Sequence, residues 1–173
     1  YDLTIEAKDD QTPPLSSSCT IVLSVTDLNE DPVLPDASRA INENALPGDT
    51  VGDVLVGTDV DAGTALQYTI VAGNLGNAFA FDPTPGSGQI VVATGADIDF
   101  EARPSYDLTV RVTDNGKPGA TPRSTDAKVV VTVRDKNEEP TIADVETRSI
   151  IENAARGTPA SPKVSIADPD FGQ

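Results

Sequence analysis

The segment Tyr106-Asp107-Leu108-Thr109-Val110-Arg111-Val112-Thr113-Asp114 places Tyr106, Leu108, Val110 and Val112 at every second position, with polar residues between them. Side chains alternate between the faces of a β-strand, so the pattern predicts a strand with one face in a core and the other in water. The same segment opens the chain as Tyr1-Asp2-Leu3-Thr4-Ile5-Glu6-Ala7-Lys8-Asp9, 105 residues earlier. A strand met twice at that distance points to tandem domains rather than one large one.

Other segments recur in the same order. Val25-Thr26-Asp27-Leu28-Asn29-Glu30-Asp31-Pro32 returns as Val133-Arg134-Asp135-Lys136-Asn137-Glu138-Glu139-Pro140, 108 residues on. Ile41-Asn42-Glu43-Asn44-Ala45 returns as Ile150-Ile151-Glu152-Asn153-Ala154, and Asp59-Val60-Asp61 as Asp168-Pro169-Asp170, both 109 residues on. One unit is therefore about 108 residues, the size of a sandwich domain. The expected organisation is the C-terminal part of one unit in residues 1–31, a complete unit in 32–139 and the N-terminal part of a third in 140–173.

Composition agrees with β-structure. Val and Thr are frequent, 13 Gly and 14 Pro break the chain into short runs, and no stretch keeps a 3.6-residue apolar period long enough for a stable helix. In the complete unit the strand near Arg39–Ile41, the apolar run Val51–Val56 and the alternation Leu66, Tyr68, Ile70 come first. Phe79–Phe81, Ile90–Val92, Tyr106–Val112 and Val129–Val133 follow, for about seven strands. Turn signals separate them at Pro47-Gly48, Asp61-Ala62-Gly63, Pro83-Thr84-Pro85-Gly86 and Asn115-Gly116. Seven short antiparallel strands in one unit predict an all-β Greek-key sandwich. Cys19, the single cysteine, falls in step with Ile21, Leu23 and Val25 and aligns with Ala127. It is expected to be a buried, inert thiol, since the chain has no His to activate it.

The formal charge of -16, from 28 acidic and 12 basic residues, argues against a nucleic-acid partner. The acids gather in the repeated motifs. In an extended segment residues i and i+2 point the same way, which would put Asp99 beside Glu101, Asp59 beside Asp61 and Asp168 beside Asp170. Like charges held this close call for protonation or a cation. Calcium takes six to eight oxygens from carboxylates, amides and carbonyls, and Asp27-Leu28-Asn29-Glu30 and Asp135-Lys136-Asn137-Glu138 mix those donors just after a strand. Zinc lacks its ligands, with no His and one Cys; magnesium's octahedral demand suits such clusters less well.

These motifs together resemble the cadherin repeat over essentially the whole chain: Ile41-Asn42-Glu43-Asn44, Asp59-Val60-Asp61-Ala62-Gly63, Ile98-Asp99-Phe100-Glu101, the Tyr106–Asp114 strand and the linker Asp135–Pro140. The resemblance implies an immunoglobulin-like sandwich with calcium ions between successive domains. It implies that Glu43, Asp99 and Glu101 serve the second junction from above, and Asp135, Asn137 and Glu138 from the linker. Carbonyls of Lys136 and Glu139 would join them, with Asp168 and Asp170 from below. At the first junction it implies Asp27, Asn29 and Glu30 in the linker and Asp59, Asp61 and Asp114 below. Glu30 and Glu138 stand where many members have Asp, and Asp31 and Glu139 where Asn is frequent. The family's Asn after Asp-x-Asp-x-Gly is missing, with Ala65 near its place.

The function so implied is calcium-dependent cell–cell adhesion, homophilic or not, by an extracellular cell-surface or secreted protein. Its partners would be other cadherin-type domains or cell-surface proteins, and any membrane attachment would lie outside residues 1–173. A passive calcium-stiffened spacer in a large secreted or surface adhesin is the alternative. A carboxylate-based hydrolase fits poorly, because Asp99 and Glu101 do not flank a sugar as a glycosidase pair must, and the chain is expected to be non-enzymatic.

Overall fold

The nine-residue strand predicted from the alternation is the centre of the main sheet. The computed structural model describes residues 1–61, 63–116, 120–142, 147–160 and 166–170. In order, its strands are β1 (Asp2–Lys8), β2 (Ser16–Val22), β3 (Ala37–Asn42), β4 (Gln67–Ala72), β5 (Phe79–Phe81), β6 (Ile90–Val92), β7 (Ser105–Thr113), β8 (Ser124–Arg134), β9 (Thr141–Ile142) and β10 (Ile166–Ala167). Strands β3, β8, β7 and β4 form one sheet in that spatial order, and β5 and β6 form a second.

The long hairpin β7–β8 pairs Tyr106 with Val131, Leu108 with Val129 and Val110 with Ala127, so both strands send the same face inward. That face, with Val112 and Val133, is buried, and the opposite face carries polar pairs. Arg111 grips Asp126 through two hydrogen bonds of 2.7 and 2.9 Å, Lys128 reaches Asp107 at 3.0 Å, and Thr113 meets Ser124 at 2.9 Å. Cross-strand pairs of this kind fix register, because a one-residue slip would turn every apolar side chain to water.

The second sheet closes the core. Phe79 stacks edge-on against Tyr106, ring centres 4.9 Å apart, and Tyr68 tilts against Phe81 at 5.7 Å. The run Val51–Val56 is not a regular strand: it joins β6 through the bridge Thr50–Val91 and runs on with Leu55 N–H on the Gly88 carbonyl at 2.9 Å. Gly88 explains part of this, since a Cβ there would lie 2.0 Å from the Leu55 carbonyl oxygen. The close approach requires glycine.

Two further expectations are corrected. The sheet is not wholly antiparallel, for β3 runs parallel to β8 from Ala37–Val129 to Asn42–Arg134. The strand that opens the unit thus lies beside, and in the direction of, the one that closes it. Cys19 is exposed, not buried. It pairs with Ile5 in the β1–β2 hairpin, and among the described residues no second layer covers that sheet, whereas its counterpart Ala127 is buried in the hydrophobic core.

The repeat persists at the level of single hydrogen bonds. Asp9 accepts from Gln11 and Leu15 N–H as Asp114 accepts from Gly116 and Arg123 N–H. Val33 bridges Thr58 as Thr141 pairs with Ala167. Ala62, within the turn predicted at 61–63, lies outside the described residues.

Leu108 is fully buried while Leu75, in the short 3-10 turn Leu75–Asn77, is 57% exposed. Leu108→Ala is expected to lower the unfolding free energy by about 2–5 kcal/mol, and Leu75→Ala to change it by no more than about 0.5 kcal/mol. Urea denaturation followed by circular dichroism distinguishes the two.

Candidate metal centres at the domain junctions

Glu43 follows the last residue of β3 and is 3% exposed. A buried carboxylate requires partners, and Glu43 has backbone donors on both oxygens. Phe100 N–H donates to Oε2 at 2.9 Å and Lys136 N–H to Oε1 at 2.5 Å, while Glu43 N–H bonds the Arg134 carbonyl at 3.0 Å. One side chain thereby joins the end of β3, the 98–102 loop and the start of the second linker.

Around it the acids converge. Carboxylate oxygens of Glu43, Glu101 and Glu138 lie within 4.8 Å of one another, and so do those of Glu101, Asp135 and Asp170. The linker reaches forward as well, with Glu138 N–H donating to Asp170 Oδ2 at 2.7 Å and Asn44 Nδ2 donating to Glu138 Oε1 at 2.5 Å. At the first junction Asp27, Glu30 and Asp61 form a third cluster of the same dimensions. There Glu30 N–H donates to Asp61 Oδ2 at 3.1 Å, the counterpart of the Glu138–Asp170 bond.

The Asp-x-Asp pairs are not extended strands with side chains abreast. Asp59 Oδ1 accepts the Asp61 N–H at 2.8 Å, and Asp168 Oδ1 accepts the Asp170 N–H at 3.1 Å. Short Asp side chains fold back on their own backbone in this way, and in each pair the second Asp accepts a linker N–H. Asp99 behaves alike, capping a turn through Ala102 N–H at 2.8 Å; Glu101 enters the clusters, and Asp99 lines the same cleft as Glu43, Asp97, Glu101 and Glu138.

Asn29 donates Nδ2 to Asp114 Oδ2 at 2.8 Å, whereas Asn137 turns to the Glu138 carbonyl at 3.3 Å. Lys136 and Glu139 have exposed side chains, in keeping with positions read as backbone donors. Asn44 and Asp97 were missed by sequence reading. For Asn44 a signal existed: it recurs as Asn153, and both take positive φ (56° and 60°), which Asn tolerates better than most residues.

The electrostatics match the geometry. Partial burial, then the charges of Asp170 and Glu43, push the Asp135 carboxyl above its ordinary range. Burial and the charges of Glu43, Asp170 and Glu101 raise Glu138 against the opposing bond from Asn44. Asp114 goes the other way: burial opposes ionisation, but the N–H groups of Arg123 and Gly116 and the Asn29 amide outweigh it and hold its carboxyl low. Asp59 Oδ2 and Glu138 Oε2 are buried acceptors that receive no hydrogen bond. Clustered all-oxygen donors, raised carboxyl groups and buried acceptors without donors fit a hard cation such as calcium.

The sequence model of the cadherin domain matches residues 37–134, more than half of the chain. The chain belongs to the cadherin family. Protocadherin Fat 4 of Mus musculus is 34% identical over 178 residues, covering 98% of this chain and 3% of the relative. Protein dachsous of Drosophila melanogaster is 37% identical over 179 residues, covering 99% of this chain and 5% of its own length. A crystal structure of mouse cadherin-23 EC22-24 superposes with a TM-score of 0.70 at 27% identity, over 99% of this chain and 54% of that one. The chain thus spans a small part of the curated relatives it matches. Cadherin domains are non-enzymatic adhesion modules, and the immunoglobulin-like sandwich found here is theirs. No helix among the described residues is long and apolar enough to cross a membrane.

A carboxyl raised by folding binds its proton where the unfolded chain has already released it. It therefore stabilises the fold at low pH and loses that contribution as pH rises through the folded value. Asp114, held low, has the opposite sign: its contribution is present above the unfolded value and is lost as pH falls through the folded one. In chelator, acidification toward the ordinary carboxylate range, about pH 4, should therefore raise the thermal midpoint through Asp135 and Glu138 before further acid lowers it. In the Asp135→Asn/Glu138→Gln protein that rise should shrink or vanish, as measured by thermal unfolding across pH.

Proposed function

We propose that this cadherin segment is a calcium-stiffened portion of an extracellular, cell-surface or secreted adhesion protein, divided into units at 1–31, 32–139 and 140–173. The observation that carries the reading is the contact made twice: a linker glutamate N–H on the second Asp of Asp-x-Asp, drawing three carboxylates within 4.8 Å at each junction.

Residues that would hold the cation at the second junction are Glu43, Asp99, Glu101, Asp135, Asn137, Glu138, Asp168 and Asp170, with the Lys136 and Glu139 carbonyls. At the first junction they are Asp27, Asn29, Glu30, Asp59, Asp61 and Asp114. Bound calcium would supply positive charge shared among carboxylates that otherwise repel. The protein's own part is positional. Glu43 fixes the linker to the domain before it, and Asp170 fixes it to the domain after it, so their oxygens face one another across the junction. Partners would be cadherin-type domains or other surface proteins of an opposing or neighbouring molecule, with adhesion, homophilic or not, made through surfaces that the stiffened units present.

Calorimetric titration should find calcium binding in about the 10⁻⁴–10⁻³ M range of extracellular modules. Glu138→Gln combined with Asp170→Asn should weaken it at least about tenfold, the loss of two charged ligands from one site. Small-angle scattering of the wild-type chain should show a longer maximum dimension with calcium than with chelator. No heat of binding at millimolar calcium would sink the reading.

A further inference from the structure

The first linker is tied to the second domain by contacts that involve no metal. Arg123 Nε meets Asp31 Oδ1 at 2.5 Å. The backbone of the same residue clasps Asp114, its N–H on Asp114 Oδ1 at 2.9 Å and its carbonyl accepting Asp114 N–H at 3.1 Å. Two residues earlier, the Thr121 carbonyl accepts Asn29 Nδ2 at 3.4 Å, and that amide also holds Asp114. Beyond Asp31, Pro32 and Leu34 are buried, and Val33 exchanges two backbone hydrogen bonds with Thr58 at 2.7 and 2.9 Å.

The chain just before is different in kind. Leu23 still bonds Tyr1 in the first hairpin, residues 24–26 are exposed and lie outside any strand, and Asp27 already belongs to the cluster with Glu30 and Asp61. The passage from exposed, irregular chain to a segment engaged on several sides falls between Thr26 and Asp27.

We propose that Arg123 is a positioning residue that latches linker residues 29–34 onto the second domain whether or not a cation is bound, which places the flexible hinge of the first junction at residues 24–26. An exposed ion pair alone contributes little. Here it acts with the Asn29 amide, the buried Pro32 and the Val33–Thr58 pair, closing the side of the linker that faces the β7–β8 turn. The linker acid Glu30 is thereby held near Asp61 before any ion arrives, and entropy lost in ordering the segment is lost on folding rather than on binding. The latch adds to the proposed calcium role and does not rest on it.

Hydrogen–deuterium exchange read by mass spectrometry tests this on the whole chain in chelator. Amides of residues 29–34 should exchange more slowly than those of 24–26. Arg123→Gln and Asp31→Asn should each speed exchange at 29–34 by about two- to fivefold, the range of one exposed ion pair, and leave β7 and β8 unchanged. The charge-reversed pair Asp31→Arg/Arg123→Asp should restore most of the protection. Because Asp31→Asn leaves the Arg123–Asp114 clasp intact, it gives the reading even if Arg123→Gln disturbs the β7–β8 turn. Uniform exchange from 24 to 34, no effect of Asp31→Asn, or failure of the reversed pair to restore protection would overturn the latch. A wild-type chain that binds no calcium would sink the proposed function and leave this readout standing.

Discussion

A carboxylate buried at 3% exposure would be costly without donors, and the way Glu43 obtains them organises the second junction. Its oxygens take N–H groups from Phe100 and Lys136, segments far apart in sequence. The 98–102 loop must therefore sit where it presents Glu101, and the linker must leave β8 at an angle that presents Asp135 and Glu138. A charge that looks like a ligand in sequence is, in the fold, first a structural staple. Burial raises the Asp135 and Glu138 carboxyl groups, and the negative charge of Glu43 adds to the rise in both. Fold and electrostatics are thus set by the same atoms.

The main hairpin was legible in the sequence because period-two alternation depends on nothing but water and a core. Tyr106 to Val112 and Val129 to Val133 needed no tertiary information to be placed. The acidic motifs were legible as a repeat for a different reason: the same contacts recur at each junction, so the same residues recur. What could not be read was the local geometry of short polar side chains. An Asp two residues from another either stands abreast of it or caps its N–H, and the choice depends on backbone turns that the pattern Asp-x-Asp does not encode. Cys19 failed for the opposite reason: its alternation is genuine, but burial is a property of what lies over a sheet, and none of the described residues covers β1 and β2.

The two junctions also show how a strongly acidic chain avoids spreading its charge evenly. On the outer face of β7 and β8, acids meet bases: Asp126 with Arg111 and Asp107 with Lys128. At the two linkers carboxylates draw together in threes, within 4.8 Å of one another, with Arg123 paired to Asp31 beside the first of them. Part of the chain's charge of -16 is thus gathered around the two linkers. Salt and cations should accordingly act on the relation between domains more than on the interior of any one of them.

The parallel pairing of β3 with β8 has a mechanical meaning. The domain is entered through one strand and left through its neighbour, and the two run in the same direction over six paired positions from Ala37–Val129 to Asn42–Arg134. Tension applied along the chain pulls the start of β3 one way and the end of β8 the other. The hydrogen bonds between them are then sheared together rather than unzipped one at a time. A tether built from such units resists stretching inside each unit, along the pair of strands by which the chain enters and leaves it.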